Sequence, residues 1–318
     1  MLKLKDLRAY YQTPRGTVKA VDGVTFDIRE NEILGIAGES GCGKSTLLKV
    51  LYDYVQPPLK IVSGEYKAEM AQNGSKVTLG PGEVRKYWWQ FISYVPQGSM
   101  SVLNPVVRIE NQFFDAVSKS HDMTNKNQIR ERVAQYLKEL ELPVEVLKSY
   151  PHQLSGGMKQ RVLVALGTFL HPQIVLADEP TTALDVVVQK GILLMLTEVQ
   201  ARMKNSLVIV SHDMGVHYQI TNRMAIMYAG KLVELGPTEA IFNDPRHPYT
   251  QLLIQALPRV GDQTQRTGIA GRPPSLLDPP AGCRFAARCP KVMDRCRHEE
   301  PAFLEVAPDH FVACHLYN

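Results

Sequence analysis

Cysteine is scarce in this chain, and the few present are unevenly spread. Of five cysteines in 318 residues, one is Cys42 and the others crowd the far end as Cys283, Cys289, Cys296 and Cys314. A set this sparse and this late does not describe a small disulfide-stapled secreted scaffold. Long apolar runs are missing too. None, the run around Ile192–Leu196 included, approaches the ~20 residues a bilayer-spanning helix needs. The opening stretch MLKLKDLRAY carries a charge every two or three residues and no apolar segment, so no signal peptide is expected there. No run of lysines and arginines is long enough for a nucleic-acid tail, and the net charge is only +4. The remaining composition is ordinary for a globular protein, 44% hydrophobic and 21% charged. The length suits one large domain or two smaller ones. A cytoplasmic protein is expected, with any membrane association supplied by a partner.

What is present begins with NEILGIAGESGCGKSTLLKVL. Ile33–Ala37 predicts a buried strand and TLLKVL a helix. Between them, Gly38, Glu39, Ser40, Gly41, Cys42, Gly43, Lys44, Ser45 and Thr46 follow the P-loop pattern. Its glycines allow backbone N–H groups to converge on phosphate oxygens, and the helix N-terminus adds partial positive charge. Lys44 would reach the β- and γ-phosphates, and the Ser45 hydroxyl would ligate Mg²⁺. A glycine-rich turn without a ligand is the plain alternative, and the flanking strand and helix argue against it. Cys42 has two readings: a redox-sensitive thiol at the nucleotide, or a bystander of which only the backbone N–H is used.

QIVLADEP supplies a second strand, Ile174–Ala177, ending in carboxylates. Asp178 is placed to hold the Mg²⁺ shell, and Glu179 to polarise an attacking water. In LSGGMKQR, Ser155, Gly156 and Gly157 open an apolar-faced helix, giving a second anion-binding helix start about twenty residues upstream of that strand. Two such starts in one chain suggest that each nucleotide is clamped between two chains.

At this point the sequence resembles the ATP-binding subunits of ABC transporters. The resemblance implies further roles: Tyr11 stacking on adenine, Gln97 in SYVPQ as the Q-loop glutamine and Mg²⁺ ligand, Asp185 in TTALD as the D-loop, and His212 in VSHDM as the switch histidine. It implies an α/β fold of the ABC-type P-loop ATPase kind: a mainly parallel sheet core, an antiparallel β-subdomain and a helical subdomain, with a small Cys-rich C-terminal extension. Residues 1–30 and 61–95 are read as antiparallel strands, with turns at Ser63-Gly64 and Asn73-Gly74. Residues 98–152 are the helical subdomain, whose groove the resemblance assigns to a permease helix. Phe113 and Phe114 are candidates for lining that groove or, equally, for core packing.

The ATPase domain is expected over 1–240 and the extension over 241–318. NDPRHPYTQLLIQALP and GRPPSLLDPPAGCRFAARCP resemble the tails of oligopeptide and dipeptide importer ATPases, a branch shared with nickel and some oligosaccharide importers. The implied partners are a second ABC ATPase (a non-identical sister, or a copy of this chain), transmembrane permease subunits and, indirectly, an extracytoplasmic solute-binding protein, all served from the cytoplasmic face of the membrane. A soluble ABC ATPase acting on nucleic acid is the reading from another class, and the absence of basic extensions weighs against it.

Cys283, Cys289, Cys296 and Cys314 are separated by five, six and seventeen residues. Spacing alone leaves an iron–sulfur cluster, a zinc site and unliganded thiols open. No pair is close enough for the usual zinc motif, whereas Arg284, Arg288, Lys291, Arg295 and Arg297 suit thiolates. The branch resemblance implies a [4Fe–4S] cluster. A tail with few apolar runs is expected to build little core, so a structural role is favoured over redox sensing.

Overall fold

The computed structural model describes residues 1–72, 74–98, 102–118, 125–182, 184–257 and 268–317. In chain order its strands are β1 (Leu2–Thr13), β2 (Gly16–Ile28), β3 (Ile33–Ala37), β4 (Leu59–Gln72), β5 (Ser75–Leu79), β6 (Ile92–Val95), β7 (Ile174–Asp178), β8 (Ser206–Val210), β9 (Arg223–Tyr228), β10 (Lys231–Pro237), β11 (Phe303–Ala307) and β12 (His310–Ala313). The helices are α1 (Lys44–Leu51), α2 (Ile109–Ser118), α3 (Lys126–Glu139), α4 (Gly156–Thr168), α5 (Val186–Met203), α6 (Met214–Ile220), α7 (Thr238–Asn243), α8 (Pro248–Gln255) and α9 (Arg295–His298). Among the described residues, no helix is long and apolar enough to cross a membrane. The chain forms two compact units. The first is Met1, Arg29–Glu32 and Ala68–Ile209; the second is Leu2–Ile28, Ile33–Lys67 and Val210–Asn318.

In the second unit, β1 and β2 form a long antiparallel pair. β3 runs parallel to β9, and β9, β10, β12 and β11 follow as antiparallel neighbours. β3 is buried at every position, as a strand covered on both faces must be. Gly35 within it admits α6: a Cβ there would lie 2.5 Å from His217 Nδ1 and 2.9 Å from Thr221 Cγ2. The tail builds more core than its composition suggests. Phe285 is 1% exposed and packs against Tyr228 and Tyr249, with ring centroids 5.2 and 5.4 Å away. β12 also pairs with β10 at Glu234↔Val312 and Leu235↔Phe311. These anchors are isolated apolar residues, so no apolar run announces them. Residues 268–282, which hold the Pro-Pro pairs, contain neither helix nor strand.

In the first unit, β8, β7 and β6 are sheet neighbours, with β6 parallel to β7, and the end of β4 pairs antiparallel with β5. Two expectations need correction. Ile92–Val95 joins the parallel sheet and not the antiparallel strands, because Ile92, Ser93 and Val95 are all buried and need cover on both faces. Ser63-Gly64 is not a turn, since both residues lie inside β4. Gly64 has φ 95°, and a Cβ would fall 2.3 Å from the Asp6 carbonyl oxygen, so glycine is needed for strand-to-strand approach. Asn73 lies outside the described residues.

The helical pattern over 98–152 yields α2 and α3 plus short 3-10 turns at Val144–Lys148 and Pro151–Gln153. Phe113 is fully buried and meets Phe169 edge-on at 5.7 Å, and Phe114 is 9% exposed. Both pack in the core. The Tyr136 hydroxyl donates to Thr168 Oγ1 at 2.7 Å within the same buried layer.

Candidate functional site

β3 delivers the chain to a loop that presses hard against its own unit. Gly38 has φ 148°, and a Cβ would lie 2.2 Å from the Met227 carbonyl oxygen; at Gly43, φ 109°, it would lie 2.1 Å from that of Ala20. No side chain fits at either position. At Gly41 the reverse holds, with nothing within 4 Å of a Cβ, so that side of the loop is open. α1 then starts at Lys44 with Gly43, which has no side chain, as its cap, so no side-chain hydrogen bond caps it. A helix start without a side-chain cap leaves N–H groups directed outward, the geometry that accepts an anion. This cradle fits a nucleotide's phosphates.

Lys44 is buried, and its Nζ donates to the carbonyls of Gly38 at 2.6 Å and Glu39 at 3.0 Å. Cys42 is also buried, and burial pushes its thiol up despite the Lys44 ammonium nearby. A thiol held protonated is a poor redox sensor, which favours the bystander reading. Tyr11, on β1, places its hydroxyl 3.3 Å from Thr46 Oγ1 on α1, while Ser40 and Ser45 are exposed.

Glu39 is tied at every polar group. Its N–H donates to the Tyr249 hydroxyl at 2.9 Å, and its carbonyl accepts from Lys44 Nζ and from the Cys42 N–H at 3.2 Å. Its carboxylate meets the Arg288 guanidinium in a two-pronged pair, 2.8 Å on each side. Sequence reading missed Tyr249 and Arg288. Their separation from the loop left no local signal.

His212 is exposed, on the loop between β8 and α6. Asp213 caps α6 by accepting from the Gly215 N–H at 2.8 Å. Behind it, the His217 ring is wholly buried and donates from Nε2 to the Ser211 carbonyl at 3.1 Å, and burial pulls its pKa down to about 4.

The first unit assembles the carboxylates. Asp178, buried at the end of β7, accepts from the Tyr94 hydroxyl at 2.8 Å. Glu179 has φ 46°, a left-handed conformation unusual for a carboxylate residue. Its Oε2 accepts from Gln97 Nε2 at 2.8 Å and from Thr182 Oγ1 at 2.8 Å. Gln97, Asp178 and Glu179 are thus brought together, and Tyr94 and Thr182 are additions that the sequence did not single out. A carboxylate with two donors on one oxygen is held in a fixed orientation, as a water-orienting group needs.

Ser155 caps α4 by accepting from the Met158 N–H at 3.3 Å, and Gly156 opens the helix. Gly157 allows close passage of α5, since a Cβ would lie 2.7 Å from Val188 Cγ1. Asp185 caps α5, accepting from the Val188 N–H at 2.9 Å.

In the tail, all four cysteines are free thiols. The Cys283 N–H donates to the Cys296 carbonyl at 2.8 Å. Burial, together with the charges of Cys296, Cys314 and Cys289, pushes the Cys283 thiol up to about 11. Cys289 and Cys314 are raised chiefly by burial, with Cys296 adding to both. As placed the four thiols do not form a ligand set: among the described residues, no group of three or more His, Cys, Asp or Glu is arranged to hold a metal ion.

Comparison with known proteins places these features in context. The profile of the family described as "ABC transporter" matches residues 21–182, and that described as "Oligopeptide/dipeptide transporter, C-terminal region" matches residues 233–296. The chain is 40% identical to the dipeptide transport ATP-binding protein DppD of Caldanaerobacter subterraneus subsp. tengcongensis, covering 100% of this chain and 97% of that one. It is 38% identical to DppD of Bacillus subtilis, over 100% and 95%. Among solved structures, a bacterial ABC transporter cassette described as dimeric superposes with a TM-score of 0.64 at 28% identity, covering 75% of this chain and 99% of that one. The same cassette with ADP and Pi bound, described as a post-hydrolysis state, gives 0.63 at 29% identity, over 75% and 99%.

Proposed function

This chain belongs to the ABC transporter family as an ATP-hydrolysing subunit, and we propose that it powers the uptake of di- or oligopeptides through a membrane permease. The observation that carries the peptide assignment is the tail: residues 233–296 match the oligopeptide/dipeptide transporter C-terminal region, and the likeness to dipeptide transport ATPases runs the full length of the chain. The chain works at the cytoplasmic face of the membrane, paired with a second ABC ATPase.

Each unit supplies its own share of the chemistry. In the second, Gly38–Ser45 take the phosphates, Lys44 neutralises the β- and γ-oxygens, and Tyr11 stacks on the base. In the first, Glu179 orients the attacking water, and its bonds to Gln97 and Thr182 keep it aimed. Ser45 in the second unit, and Gln97 and Asp178 in the first, are the residues that would ligate Mg²⁺, which would neutralise charge on the transferred phosphoryl. His212 steadies the γ-phosphate, while Ser155, Gly156, Gly157 and Asp185 serve the partner's nucleotide.

We further propose a [4Fe–4S] cluster on Cys283, Cys289, Cys296 and Cys314. What supports it is the resemblance of the tail, together with the bond from the Cys283 N–H to the Cys296 carbonyl, which joins two of the four cysteine backbones. Ligation would require their side chains to turn toward a common centre. Protein purified without oxygen should carry iron and sulfide at about four each per chain. One zinc without iron overturns the cluster.

The transport reading is tested by isolating the chain from membranes by a tag. Permease subunits should accompany it, and ATP hydrolysis should rise with peptide plus the cognate binding protein. Stimulation by Ni²⁺ but not by peptide would reassign the cargo. Copurification with nucleic acid in place of membrane subunits would overturn the importer reading.

A further inference from the structure

Arg288 sits one residue before Cys289, yet its side chain leaves the cysteine region and enters the phosphate loop. A guanidinium has five N–H donors, and here all three nitrogens are engaged. Nη1 donates to Glu39 Oε2 at 2.8 Å and to the Tyr228 hydroxyl at 3.1 Å. Nη2 donates to Glu39 Oε1 at 2.8 Å and to the Ile269 carbonyl at 3.1 Å. Nε donates to the Ala270 carbonyl at 2.9 Å. The side chain is 5% exposed and stacks over the rings of Tyr228 and Phe285 at 5.7 and 5.9 Å. This leaves the guanidinium few alternative poses.

Glu39 has its own constraint. The carbonyl of the same residue receives Lys44 Nζ, so one residue carries both the carboxylate held by Arg288 and one of the two acceptors of the loop lysine. A loop that binds phosphate through backbone N–H groups depends on those groups being aimed before the ligand arrives. We propose that Arg288 is a positioning residue for the nucleotide: it fixes Glu39, and through Glu39 it sets the phosphate loop and the resting place of the Lys44 ammonium. The proposal rests on reading residues 38–45 as the phosphate loop.

The test measures the Kd of a fluorescent ATP analogue, and KM and kcat for ATP, on the full chain. Lys44→Ala is the control for the loop itself and should abolish binding. Arg288→Met should raise Kd and KM by about tenfold, the scale of a charge-assisted pair, and move kcat less. Glu39→Gln leaves the tail intact and so bypasses any folding defect at position 288, and it should raise Kd similarly. The double variant should be no worse than the weaker single, since both remove the same pair. Arg288→Lys should recover only part of the loss, because an ammonium cannot form the fork. If Lys44→Ala abolishes binding while Glu39→Gln and Arg288→Met leave Kd within twofold, the positioning role is wrong. If the two effects add, they act independently, and the proposal again fails. If Lys44→Ala itself binds normally, the phosphate-loop reading is what falls.

Discussion

The carboxylate corner of the first unit and the phosphate loop of the second are held in opposite ways. Asp178 and Glu179 are fixed by the adjoining parallel strand and their own turn, through Tyr94, Gln97 and Thr182. The loop at Gly38–Lys44 is fixed by groups more than two hundred residues away in sequence, Tyr249 and Arg288. Gln97 and Glu179 are exposed enough to exchange partners, whereas Lys44 and the Arg288 side chain are buried. On the proposed roles, the groups that act on the water are tethered by a few bonds at a surface, and those that receive the phosphates are built into the core.

The widest split between the two regions comes from exchanging their charged groups. Glu179→Gln should cut ATP turnover by about 10²–10⁴-fold with nucleotide affinity kept, as read by single-turnover hydrolysis beside equilibrium binding. Turnover at the parental rate would remove Glu179 from the chemistry. Phe285→Ala should cost about 3–5 kcal/mol and loosen only the second unit. Hydrogen exchange would show Tyr228 and Tyr249 losing protection while α2 and α3 keep theirs.

Acid should also separate the units. His217 and His247, both fully buried in the second, have folded pKa values lowered to about 4 by burial, against about 6.5 unfolded. The neutral rings contribute full stability above pH 6.5. That contribution is lost as pH falls from there toward 4, because the unfolded chain takes up the protons first. Up to about 3 kcal/mol is at stake for each ring, so denaturant midpoints followed on second-unit probes should fall first. A midpoint that stays flat across this window would mean the rings are not held neutral. The smallest effect sharpens the comparison: Tyr94→Phe removes one bond to Asp178 and should cost about 1 kcal/mol, a few-fold in kcat with the nucleotide Kd unchanged.

Much of the fold was readable from local pattern. Ile33–Ala37 and Ile174–Ala177 are apolar runs that form buried strands, and Ser155 precedes a helix that it caps. The strand–loop–helix setting of Gly38–Ser45 was legible for the same reason. What escaped depends on partners distant in sequence. Gly64 reads as a turn until Asp6 is seen pressing on it from β1. Ile92–Val95 reads as one more antiparallel strand until β7 is alongside. Nothing in FAARCP marks Arg288 as belonging to the phosphate loop, because its partner Glu39 lies 249 positions earlier.

That separation has a consequence for the timing of synthesis. At about 5–20 residues per second, the ribosome releases Glu39 on the order of tens of seconds before Arg288 exists. During that interval the glycine-rich turn can form next to β3 but lacks both outer ties. A nascent or prematurely ended chain that stops short of Tyr249 carries the whole of GESGCGKS and neither residue that fixes Glu39 from outside. Only a chain extended past Arg288 carries both outer ties, so a motif made early in synthesis waits for a residue made 249 positions later to reach its final setting.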